Sequence, residues 1–128
     1  MTKIMIVDDE QDVELLFRQK FRKELKNGEF DFYFAFNGED ALTYLRSLHP
    51  FDLVLVLSDI NMPGMTGLEL LRIIRTEFPL LRVMMVTAYG DDSNYGKAME
   101  IGANDFLTKP VDFVLLKEKI LKLNQAMS

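Results

Sequence analysis

Four apolar runs of strand length in this sequence lead to side chains that can do chemistry. Lys3 to Val7 ends at Asp8 and Asp9, Leu53 to Leu57 leads to Asp59, Arg82 to Val86 ends at Thr87, and Phe106 and Leu107 run into Lys109. An isolated Asp at a strand end can merely begin a turn or cap a helix, so Asp59 alone decides little. Gathered together, three carboxylates would repel one another enough to raise at least one pKa unless a cation sat among them. With one histidine and no cysteine, oxygen ligands are the donors that remain, and these suit Mg²⁺. Three Asp and one Lys leave an excess of two negative charges, which one such ion would neutralise. The metal, the Lys109 ammonium and the Thr87 hydroxyl could then hold the oxygens of a phosphoryl group while Asp59 attacks as nucleophile, forming an acyl phosphate.

The elements between these residues must bring them to one place. The run LVLVL at 53–57 has no polar face and reads as a strand buried on both sides, the mark of a parallel sheet. Asn61, Pro63 and Gly64 supply turn chemistry behind it. Val13, Leu16, Phe17, Phe21 and Leu25 recur at helical spacing, predicting one amphipathic helix from Gln11 to Lys26, closed by Asn27 and Gly28. Phe30, Phe32, Phe34 and Phe36 alternate with wetter residues, as in an edge strand whose apolar face is core. Helices are predicted over Glu39 to Leu48, ended by Pro50, and over Gly67 to Phe78, closed by Pro79. Asp91 to Ile101 is a weaker helix, because Gly90 and Gly96 are poor formers and only Tyr95, Ala98 and Met99 face inward. Asp112 caps a last helix through Phe113, Leu116, Ile120 and Leu123. Strands alternating with helices five times predict an α/β fold: a doubly wound (βα)5 sandwich around a five-stranded parallel sheet.

The bulk numbers agree with one domain over residues 1–128. Hydrophobic content of 48% with 27% charged residues is that of an ordinary globule, and five consecutive apolar residues fall far short of a membrane span. No signal-peptide pattern opens the chain, so the expected location is cytoplasmic. A net charge of −5 argues against direct nucleic-acid binding by this domain.

The motifs IVDDE at 6–10, SDINMPGMTG at 58–67, VTAYG at 86–90 and GANDFLTKPVD at 102–112 carry a resemblance. The chain resembles, from end to end, the CheY-like receiver domain of two-component response regulators. The resemblance implies strand order 2-1-3-4-5, since the chemotaxis member of the family has that order. It implies Asp59 as phospho-acceptor, Mg²⁺ held by Asp8, Asp9, Asp59 and the backbone carbonyl of Asn61, and phosphoryl binding by Thr87 and Lys109. It further implies a cis Lys109-Pro110 bond and a switch pair, Thr87 and Phe106, acting on the face formed by helix 4, strand 5 and helix 5. Tyr89 and Asn61 fall where the family tunes hydrolysis of the acyl phosphate. Two departures are visible: six residues separate Asp52 from Asp59 where many receivers have about four, an even insertion that keeps side-chain facing, and the fourth helix is weak, with Gly96 inside it.

The implied partners are a histidine kinase or phosphotransfer protein as donor, and an effector domain or target protein as reader. A homodimer through the last two helices is left open. Such a domain is a phosphorylation switch that catalyses only its own phosphorylation and slow dephosphorylation, not an enzyme in the turnover sense. A docking or scaffold receiver independent of phosphorylation is the alternative reading. An Asp-nucleophile phosphohydrolase would usually carry a second Asp two residues after the first, where this chain has Asn61.

Overall fold

A computed structural model describes residues 2–47, 55–88 and 90–125. In order, the elements are β1 (Thr2–Val7), α1 (Asp12–Lys20), α2 (Arg22–Lys26), β2 (Phe30–Ala35), α3 (Gly38–Ser47), β3 (Leu55–Asp59), α4 (Gly67–Glu77), β4 (Arg82–Thr87), α5 (Asp92–Ile101), β5 (Asp105–Thr108) and α6 (Phe113–Gln125). The five strands are all parallel and ordered β2-β1-β3-β4-β5. This is the doubly wound sandwich expected. Expectations for Leu48, Pro50, Asp52, Leu53, Val54 and Tyr89 lie outside the described residues.

Alternation along the strands builds two cores, one on each face of the sheet. Met5, Val7, Val56, Val83 and Met85 join Leu70, Leu71 and Ile74 of α4 on one side. Ile4, Ile6, Leu55, Leu57, Met84 and Val86 join Phe17, Phe21 and Leu116 on the other. With both faces covered, the central strands can be apolar throughout, and the absence of a polar face in the third run has that cause.

Three readings need correction. The predicted helix from Gln11 to Lys26 is broken at Phe21, whose φ of −109° and ψ of 25° leave helical geometry. The Phe21 ring is buried among Phe17, Phe30, Phe32 and Phe113, with centroids 5.5–6.1 Å apart, and this packing outweighs the local preference for a continuous helix. The predicted fourth and fifth helices are therefore α5 and α6. Strand β2 stops at Ala35, leaving Phe36 half-buried beyond it. On α5 only Ala98 is buried, while Tyr95 and Met99 are 38% and 39% exposed.

Two helix starts bear on the site. Thr66 caps α4 by accepting from Glu69 N–H at 3.2 Å, and Glu69 Oε1 reaches back to Thr66 N–H, a capping box written in the sequence that periodicity alone passes over. Asp112 accepts from the N–H groups of Val114 and Leu115 at the start of α6, as expected. Gly96 lies inside α5 with open space where a Cβ would stand. Gly96→Ala should therefore stabilise the protein by about 0.5–1 kcal/mol, read as a raised midpoint in urea.

Candidate functional site

Strand register builds the site. Val7 lies beside Ala35 and Ser58, Asp59 beside Val86, and Thr87 beside Thr108. Because the strands are parallel, their carboxyl ends finish at one edge, and the residues leaving that edge share one crevice. Asp8, Asp9 and Asp59 each offer a carboxylate oxygen there, all within 4.8 Å of one another. Lys109 Nζ donates to Asp59 Oδ2 at 3.1 Å. The sequence-predicted set thus meets at one edge, drawn from four different segments.

Backbone hydrogen bonds hold the loops that carry these side chains. Glu10 N–H donates to Asp8 Oδ1 at 2.9 Å, Ile60 N–H to Val86 O at 3.1 Å, Gly67 N–H to Ile60 O at 2.8 Å, and Lys109 N–H to Thr87 O at 2.8 Å. The Lys109-Pro110 bond is cis. Asn61 follows directly in the β3–α4 loop with its side chain exposed. Phe106 lies across from Met85, one row behind Thr87 on the same side of the sheet. Its half-buried ring packs on Tyr95 of α5, centroids 4.1 Å apart, so it is not simply core.

Charge and burial conflict at this edge. Asp59 and Asp8 are only 4% and 8% exposed, whereas Asp9 is open to solvent. Burial pushes the Asp8 carboxyl up to about 6; the Glu10 N–H opposes this, the Asp59 charge adds to it and the Lys109 charge relieves it. The expected rise of one carboxyl is present, with burial rather than repulsion as its larger cause. Burial alone would lower the Lys109 pKa, but its hydrogen bond to Asp59 and the charge beside it outweigh that and leave it raised, so the ammonium is secure.

The Asp8 shift has a pH signature. Folding raises the pKa from 3.8 to about 6, so the folded state binds that proton more tightly and stability falls as pH rises through this window. Asp8→Asn removes the effect while still able to accept from Glu10 N–H. In metal-free buffer the variant should melt higher than wild type above pH 6, the difference vanishing below 3.8.

The residues fit a hard divalent cation. Three carboxylates on one edge, joined among the described residues by no histidine or cysteine, are the donor set that Mg²⁺ takes. Thr87 Oγ1 is buried and, among the described residues, has no hydrogen-bond partner. Such a hydroxyl costs about 1–3 kcal/mol unless a further oxygen satisfies it, which suits a site that receives an oxyanion. Sequence reasoning gave no site role to two neighbours of the cluster: Glu10, whose N–H holds Asp8, and Gly67, whose approach to Asp59 only packing reveals.

An open parallel sandwich with acids, a threonine and a lysine at its strand ends carries its reactive crevice at the carboxyl edge of the sheet. Residues 4–121 match the response regulator receiver domain, and the chain belongs to that family. It is 35% identical over 123 residues to the chemotaxis protein CheY of Pseudomonas aeruginosa, covering 94% of each chain. It is 33% identical over 120 residues to sporulation initiation phosphotransferase F of Bacillus subtilis, covering 94% of this chain and 91% of that one. The solved receiver domain of a Clostridium thermocellum response regulator superposes with a TM-score of 0.87 at 25% identity, covering 99% of this chain and 97% of that one. No helix among the described residues is long and apolar enough to cross a membrane.

Proposed function

We propose that this chain is a single phospho-accepting domain over residues 1–128, acting in the cytoplasm as a switch in two-component signalling. The observation that carries the reading is the buried Asp59 carboxylate, bonded to Lys109 and grouped with Asp8 and Asp9. Asp59 is the nucleophile: its oxygen attacks phosphorus as the bond from phosphorus to a phosphohistidine nitrogen of a histidine kinase or phosphotransfer protein breaks. Asp8, Asp9, Asp59 and the Asn61 carbonyl would hold Mg²⁺, which when bound supplies positive charge for the phosphoryl oxygens. The Lys109 ammonium offsets the same charge, and the unpartnered Thr87 hydroxyl donates to a phosphoryl oxygen.

Output follows from the packing of Phe106. As Thr87 turns to the phosphoryl group, the space behind it changes for a ring one row back, and Tyr95 rests on that ring. A charge event at Asp59 thereby becomes a shape change on the face of α5, β5 and α6, where an effector domain or target reads it.

The test is direct. Incubated with Mg²⁺ and acetyl phosphate, the protein should gain the mass of one phosphoryl group, and chelation of the metal should abolish the gain. No gain in mass under these conditions would leave a docking domain in place of a switch.

A further inference from the structure

Beside the acid cluster lies a cleft of about 540 Å³ between α1 and the chain entering α6. Its walls are apolar: Val13, Leu16 and Phe17 on one side, Pro110, Val111 and Phe113 on the other. Ile6, Val7, Leu57 and Val86 of the sheet also line it, and Asp8, Glu10, Asp59 and Lys109 add charge. Asp8, Asp59 and Lys109 meet through the Asp8–Asp59 approach and the Lys109 to Asp59 bond, and the Glu10 charge acts on both Asp8 and Lys109, so the four form one charged end. Carboxylates outnumber the ammonium there by three to one. Lys109 is committed to Asp59, and neither Asp8 nor Glu10 has an ion-pair partner among the described residues.

We propose that this cleft binds a small amphiphilic cation: a single amine or amidine on an aromatic or short branched alkyl body. The volume is that of a small-molecule site. The apolar walls take the body, and the excess negative charge takes the cationic head. An anion would be repelled by Asp8 and Glu10, and a neutral molecule would gain no charge-assisted contact with them. Because Asp8 and Asp59 line both the cleft and the acid cluster, occupancy opposes binding of a divalent cation. That last consequence rests on the metal reading given above; binding in metal-free buffer does not.

The probe is 1-naphthylmethylamine, titrated into the full chain in metal-free buffer. The chain has no tryptophan, so naphthalene emission reports binding with only the weaker tyrosine signal to subtract. The amine should bind about tenfold or more tightly than 1-naphthylmethanol, the gain expected of one charge-assisted contact. Val13→Phe, which narrows the wall, and Glu10→Gln, which removes a charge outside the acid cluster, should each weaken the amine, with circular dichroism reporting the fold. Saturating Mg²⁺, its own binding followed by the amide signals of Asp9 and Asn61, should weaken the amine about tenfold. Equal affinity for amine and alcohol, indifference to both substitutions, or an unchanged amine affinity with Mg²⁺ bound would each overturn the proposal. Failure of Mg²⁺ to bind, with the amine still discriminated from the alcohol and weakened by both substitutions, would support the cleft and overturn the metal reading instead.

Discussion

Asp59→Asn should gain no phosphoryl mass under conditions that label the wild type fully, a loss of about a thousandfold or more in rate. The substitution changes little else. Asparagine has the volume of aspartate and its Oδ1 can still accept from Lys109 Nζ, now 3.1 Å from the carboxylate. What disappears is the anionic oxygen that attacks phosphorus. Removing one charge from a buried acidic cluster also relieves repulsion on Asp8, so the variant should melt no lower than wild type in metal-free buffer. Intact-mass spectrometry with a parallel thermal melt separates chemistry from folding. A labelled Asp59→Asn protein would move the acceptor to another carboxylate.

Gly67→Ala carries the second large effect, and it acts through the backbone. A Cβ at Gly67 would stand 2.0 Å from Asp59 O, 2.7 Å from Ile60 Cα and 2.9 Å from Asp59 C. None of these atoms can swing aside, because Asp59 ends a buried central strand and Gly67 N–H is bonded to Ile60 O. The first turn of α4 must back away from β3. We expect a loss of about 3 kcal/mol in urea unfolding. Even where the variant folds, shifting the Asp59 backbone disturbs the contact with Lys109, so phosphoryl incorporation should fall as well. Gly96→Ala is the internal control: the same added methyl in open space, with the opposite sign on stability.

These two residues were not equally legible beforehand. Asp59 decides little alone but stands out once several apolar runs are seen to lead to polar ends, because the parallel sheet brings such ends together whatever the side chains between them. Gly67 gives no such sign: its place at the start of a predicted helix says nothing of how closely that helix approaches the strand before it.

Periodicity was enough for the architecture because apolar spacing reports burial, and burial on both faces of β1, β3 and β4 requires helices on both sides. The acid residues, the lysine, the absence of cysteine and the single histidine were likewise determined by the chain alone, since residue type sets donor chemistry before any folding. Packing decided the rest. Phe21 left the helix because four rings surround it, and Tyr95 stayed at the surface over Phe106 although its spacing on α5 pointed inward. The cause is that side-chain pattern gives a direction relative to one element, whereas burial, close approach and pKa depend on which other elements occupy that direction. Asp8 shows this most plainly: its charge is written in the chain, and its resistance to ionising comes from the surroundings that bury it.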